Sequence, residues 1–296
     1  MSQERFALDE RAIGVMLLLT ALWGFQQVTV KWIAADVSLV MQAALRSIIA
    51  TVLLVAWARL RGLRLFDRDG TFWPGIAAGI LFAGEFVFIY GGLAYTNASR
   101  MSVFIYLTPP LTAVGLHFFV VSERRLTLRQ WIGVLIAFAG IVLAFAEGFS
   151  AQLGTYLGDL FGVIAAVLWA STTVVIRATR LARATATKTL FYQLGVSALV
   201  LPLASWLLGE KGIANVSALV VASLAYQGAI VAFASYLAWF WLLTRYLAAP
   251  LSVLTFLTPM FGVLSGVLFL SERISATFLL AALLVGAGIV LVNLRR

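Results

Sequence analysis

The chain has no cysteine and only one histidine in 296 residues. Disulfides, thiolate metal sites and a cysteine nucleophile are therefore excluded, although this absence does not identify a compartment. Charge is scarce too, at 11% of residues. There is no Gly-x-x-x-x-Gly-Lys-Ser/Thr loop to cradle ATP phosphates, no His-Glu-x-x-His zinc motif and no paired-aspartate motif. ATP-driven work and intramembrane hydrolysis both lack their signatures, and the expectation is a non-enzyme with no cofactor and no metal.

Hydrophobicity is what the sequence has in excess. Hydrophobic residues make up 62% of the chain and the mean hydropathy is +1.02, beyond what a domain with an aqueous surface carries. A bilayer-spanning helix needs roughly 20 apolar residues. Ten such runs occur, at 11–32, 39–59, 73–95, 101–121, 130–147, 156–176, 188–208, 219–241, 250–270 and 276–294. The runs are continuous rather than alternating, which selects helices over barrel strands. The expected fold is an all-α membrane protein of ten transmembrane helices. The first run is too long for a secretory signal and carries Trp23, Gln26 and Gln27, so it is expected to be retained.

A net charge of +9 raises the question of a nucleic-acid partner. The distribution answers it. Of 21 Lys and Arg, Lys31, Arg100, Lys211 and Arg273 fall on one side of the ten-span layout, Arg46 falls inside a span, and the remainder fall on the side of the N-terminal tail. The positive-inside rule makes that side cytoplasmic, with both termini on it. The basic excess is then a topology signal, the macromolecular surroundings are the lipid bilayer of an inner membrane, and no nucleic acid is expected.

The chain also contains itself twice. Leu22-Trp23 with Val28 and Lys31 returns as Leu168-Trp169 with Val174 and Arg177. Leu107-Thr108-Pro109 returns as Leu257-Thr258-Pro259, Ser122-Glu123-Arg124 as Ser271-Glu272-Arg273, and Gly140-Ile141-Val142-Leu143 as Gly288-Ile289-Val290-Leu291. Four collinear islands containing Trp, Pro and charge are more than low complexity supplies. The division is 1–150 and 151–296, five spans each, forming one membrane domain. Because five is odd, the second copy enters the bilayer inverted, which is the frame of alternating access.

Ala21-Leu22-Trp23-Gly24, Gly158-Asp159-Leu160 with Val167-Leu168-Trp169-Ala170, and the run from Tyr236-Leu237-Ala238-Trp239-Phe240 through Leu257-Thr258-Pro259 to Ser271-Glu272-Arg273 resemble the EamA repeat of the drug/metabolite transporter superfamily. Length, tryptophan content and the N-terminal segment further resemble the YddG-type amino-acid exporters. The resemblance implies secondary-active export of amino acids, aromatic ones among them, through a cavity open to one side at a time. An importer or exchanger of sugars, nucleotide-sugars or drug cations is the alternative, and a scramblase or scaffold is a more distant one.

Ionisable groups inside spans are costly and mark candidate sites. Arg46 and Glu85 fall within roughly 5 Å of each other in depth, from the 1.5 Å rise per residue, so they are candidates for an ion pair, a gate or a substrate contact. His117 shares a helix face with Tyr106, Pro110 and Ala113, and is either a proton relay or a residue meeting water near the span end. Trp23 and Trp169, repeat equivalents at mid-span, would face each other across the centre, where aromatic faces bind apolar groups or an ammonium. Gln26 and Gln27 add neutral donors and acceptors suited to a zwitterion. Span 8 offers Gly228, Ala232, Ser235 and Trp239 at helical spacing, with Ser235 the repeat equivalent of Glu85. Tyr90, Tyr106 and Tyr236 are further wall candidates for a small-molecule substrate site. Pro109, Pro110 and Pro259 each remove a helix hydrogen bond and are expected to bend spans 4 and 9 as candidate hinges. Asp159 and the two Ser-Glu-Arg islands read as helix or loop caps. The glycines of spans 5 and 10 suit packing or self-association into a homodimer.

Overall fold

A computed structural model describes residues 9–67, 69–119, 127–151, 155–246, 254–255 and 257–293. It is helical throughout its spans: α1 Glu10–Trp32, α2 Leu39–Leu60, α3 Phe72–Gly92, α4 in two pieces Ala98–Ile105 and Thr108–Phe119, α5 Leu128–Ala151, α6 Thr155–Ala178, α7 Ala186–Leu207, α8 beginning at Ala218–Ala225, α9 Leu257–Leu270 and α10 Ala276–Asn293. Seven of these are long and apolar enough to cross a bilayer, and α5, α9 and α10 supply three shorter apolar helices. The chain is a ten-helix membrane protein of two five-helix repeats. Its outward surface is apolar, with Leu18, Val52, Leu199 and Leu283 among the exposed side chains, as a lipid-facing belt requires.

The repeats interlock rather than sit side by side. α5 packs on α10, α2 on α7, α3 on both α6 and α7, and α1 on α9. Glycine permits the closest approaches. A Cβ on Gly24 of α1 would lie 2.6 Å from the backbone nitrogen of Gly262 in α9, and one on Gly288 of α10 would lie 2.5 Å from the Gly133 carbonyl of α5. Small residues let membrane helices gain dispersion contact without a hydrophobic driving force between them. The glycines of α5 and α10 are thus used, at least in part, for packing within the chain.

Helix ends reveal a second kind of interlock. α1 is capped by Asp9, whose carboxylate accepts from the Ala12 amide at 2.7 Å, and α7 and α8 are capped by Thr185 and Ser217. Ser38 and Asn97, before α2 and α4, make no such bond. Carboxylates from the second repeat fill the gap. Glu210 accepts from the amides of Val40 at 2.9 Å and Met41 at 3.0 Å, and Glu272 from those of Ala98 at 2.8 Å and Ser99 at 3.0 Å. Each meets the positive end of a helix dipole as well as free donors. Glu272 belongs to the second Ser-Glu-Arg island; the first, with Glu123, lies outside the described residues.

Asp159 departs from its expected role. It sits one turn inside α6, and its carboxylate takes Arg100 of α4 in a buried ion pair and the Thr96 hydroxyl at 2.8 Å. A partner from the other repeat, rather than the amides of α6, satisfies it. Arg100 likewise is no loop cation but a buried residue in the first turn of α4.

Candidate functional site

α4 is broken where Pro109 and Pro110 fall. The helix stops at Ile105 and restarts at Thr108. Pro109 has no amide to offer the Ile105 carbonyl, and the Thr108 hydroxyl donates to that carbonyl instead, at 2.6 Å. Pro259 occupies the matching place near the start of α9. α8 holds a different irregularity. After Ala225 the helix widens into a π-helical stretch, Tyr226–Ser235, before resuming as Tyr236–Arg245. Gly228, Ala232 and Ser235 are buried as their shared face requires, but i→i+5 bonding lengthens the turn between them, so the helix is not regular there. The buried residues of the stretch are Gln227, Gly228, Val231, Ala232 and Ser235.

These elements bring most of the predicted residues into one buried polar cluster between α1, α2, α3 and α8. Gln26 donates to the Tyr90 hydroxyl at 3.3 Å, Tyr90 donates to Gln227 at 2.9 Å, and Gln227 donates to Gln42 at 3.3 Å. Gln42 ends the chain on the Val30 and Val37 carbonyls. On the other flank Trp23 donates its indole N–H to Ser235 at 2.7 Å, and packs edge-to-face on Tyr236 and Trp239 with ring centroids 6.4 and 6.0 Å away.

Arg46 lies between these two flanks and is fully buried. One terminal nitrogen donates to the Tyr236 hydroxyl at 3.2 Å, and the guanidinium sits 4.2 Å from the centroid of Phe86. Its Nε and Nη1 have no hydrogen-bond partner among the described residues. Glu85 is buried with Oε2 unpartnered, and Gln27 with Oε1 unpartnered. The charges of Arg46 and Glu85 act on each other, yet no direct ion pair joins them. A buried unmatched donor or acceptor costs roughly 1–3 kcal/mol, more when charged, and here unmatched groups of both kinds occur in one bundle.

Other candidates make separate contacts. Trp169 does not face Trp23; its ring packs at 82° on Tyr106, centroids 6.1 Å away, between α6 and α4. His117 packs edge-to-face on Phe118 and on Trp131 of α5, near the far end of α4.

The comparisons with known proteins match this architecture. Residues 11–146 and again 156–294 match the model of the EamA-like transporter family. The chain belongs to the EamA-like transporter family. This EamA-like chain is similar to the "Uncharacterized transporter YvbV" of Bacillus subtilis (strain 168), 25% identical over 289 residues covering 96% of this chain and 92% of that protein. It is similar also to the "Uncharacterized transporter YoaV" of the same organism, 22% identical with 93% and 94% covered, and to an "Uncharacterized transporter" of Archaeoglobus fulgidus, 26% identical with 85% and 86% covered. A solved crystal structure shares the fold at a TM-score of 0.66 and 21% identity, with 95% of this chain and 97% of that one superposed. The protein is a multi-pass membrane transporter.

Gln42 and Gln227 are the members of the EamA-like cluster that charge and aromatic signals miss. Each is a glutamine inside an apolar run, and an amide buried in a span is itself a signal, since it must find partners there.

Proposed function

We propose that this transporter exports zwitterionic amino acids by alternating access, through the cluster around Arg46 and Glu85. One observation carries the reading: unpartnered donors on Arg46 and unpartnered acceptors on Glu85 and Gln27, in a bundle with an aromatic wall of Trp23, Tyr236 and Trp239. An amino acid offers the complement, a carboxylate for the guanidinium and an ammonium for the carboxylate and amide oxygen. Its side chain takes the aromatic wall, where an ammonium also gains cation–π contact. The site's own charges sum to zero, and so do the ligand's. A drug cation would leave Arg46 buried beside like charge, and a nucleotide-sugar would bring two negative charges to one guanidinium.

Alternating access draws support from unequal packing of equivalent helix pairs. α3 and α6 meet backbone to backbone, where a Cβ on Gly158 would lie 2.8 Å from the Gly92 carbonyl. The pair related by the inverted repeat, α8 and α1, meets through side chains, Trp23 on Ser235 and Tyr226 on the Leu22 carbonyl. Exchanging the two arrangements between repeats gives the opposite opening. Export and cytoplasmic termini in an inner membrane follow from the family resemblance and from the placement of Lys and Arg.

The test is a reconstituted-liposome panel of labelled amino acids, sugars and nucleotide-sugars. Saturable movement of neutral amino acids, lowered at least tenfold by Arg46→Gln and by Glu85→Gln, is expected. Movement of a sugar or nucleotide-sugar with amino acids ignored would overturn the reading.

A further inference from the structure

Away from the central cluster, on the side of the bundle that bears the N-terminus, two adjoining cavities of about 520 and 400 Å³ open where the α2–α3 loop meets the end of α6. Arg180 and Arg183, on the short 3-10 helix Arg180–Arg183 that follows α6, line both. The rest of the lining is polar or small: Thr71 and Asp69 in one, Gly70, Pro74 and Thr179 in the other.

The charge of this recess is positive. Asp69, its acidic group, is already engaged: the buried Lys188 ammonium donates to its Oδ2 at 2.7 Å, and the Thr71 amide and hydroxyl donate to its Oδ1. Neither Arg180 nor Arg183 meets a carboxylate among the described residues. The recess is also built rather than incidental. Gly70 has a φ of +74°, and a Cβ there would strike the Arg180 guanidinium 2.1 Å away, so the loop backbone lies directly against that side chain. Thr71, which pins the loop, pairs its hydroxyl with that of Tyr192 on α7 at 3.3 Å.

Its setting is amphipathic. Pro74 belongs to the first turn of α3, and the neighbouring Trp73 and Phe72 are 76% and 54% exposed. Trp at a helix end marks the headgroup depth of a bilayer. A cationic recess opening beside such a rim suits a ligand with a phosphate at one end and acyl chains at the other.

We propose that this recess binds the phosphodiester headgroup of an anionic phospholipid, with Arg180 and Arg183 as its ligands and Trp73 and Phe72 against the acyl region. Arginine forks match phosphate oxygens, and basic recesses between membrane helices hold anionic headgroups. The site is independent of the transport cluster and of its substrate.

Native mass spectrometry of the full chain in detergent tests it, with phosphatidylglycerol, phosphatidylcholine of the same acyl chains, and inorganic phosphate as probes. Phosphatidylglycerol is expected to remain bound where phosphatidylcholine does not. Arg180→Gln with Arg183→Gln is expected to weaken it about thirtyfold, as loss of two basic contacts at a headgroup implies. Arg59→Gln with Arg61→Gln, outside the recess, is expected to leave it unchanged. Equal retention of the two lipids by the wild type overturns the proposal without reference to any variant. So does equal weakening by both pairs of substitutions, and displacement of the lipid by millimolar phosphate assigns the recess to a soluble anion instead.

Discussion

Arg46 and Trp23 do different work at the residue scale. Arg46 keeps two buried donors without a hydrogen-bond partner among the described residues, which an arriving carboxylate would meet, while Trp23 is already satisfied by Ser235 and supplies shape. Trp23→Ala is accordingly expected to raise KM for an aromatic amino acid by tenfold or more, since burying a large side chain is worth roughly 1.5–3 kcal/mol. Trp23→Phe, which loses the hydrogen bond and keeps most of the ring, is expected to change it only a few-fold. Initial-rate kinetics in liposomes read both. Gly24 makes a stability prediction. A Cβ there would meet the α9 backbone at Phe261 and Gly262, which cannot retreat as a side-chain tip can. Gly24→Ala should cost about 1–3 kcal/mol, seen as a lowered Tm in detergent. Arg46, Glu85, Gln26 and Trp23 are legible in sequence because each is polar or bulky at mid-span. Their partners are not, since whether Arg46 pairs with Glu85 or stands off from it depends on side-chain placement across helices, which depth alone leaves open.

At the scale of elements, the two irregular helices were unequally readable. The break in α4 follows from prolines, whose missing amides any sequence displays. The π stretch of α8 does not, because Tyr226–Ser235 contains no proline and nothing local distinguishes it from ordinary helix. The borrowed caps were equally hidden, since Glu210 and Glu272 act on helices more than 160 positions away in sequence. Glu272→Gln is expected to lower stability by about 1 kcal/mol through the loss of charge at the α4 dipole, and thermal unfolding would show it. The Asp69–Lys188 contact makes a pH prediction. The hydrogen bond from Lys188, with those from Thr71, holds the half-exposed Asp69 carboxyl well below the usual carboxylate range. A depressed native value stabilises above the unfolded pKa of about 4, and this contribution fades as pH falls through the lower native value. Asp69→Asn should therefore narrow the gap in Tm between pH 7 and pH 3, and an unchanged gap would show the contact to be without thermodynamic weight.

For the whole molecule, duplication was the most legible property, because four islands repeat in order with Trp, Pro and charge in them. What duplication does not convey is asymmetry. Trp23 and Trp169 occupy equivalent positions, yet one joins the polar cluster on α8 and the other packs on Tyr106 of α4. The polar groups of the cluster come from α1, α2 and α3 on one side and from α8 on the other, so it exists only when both repeats are docked. The absence of native cysteine makes this directly measurable. In right-side-out and inverted vesicles, a single Gln27→Cys is predicted to react with a membrane-impermeant thiol reagent from whichever face is open, and a transported amino acid is predicted to protect it. Failure to react from either face, with the chain folded and no substrate present, would contradict a solute-accessible centre shared by the two repeats.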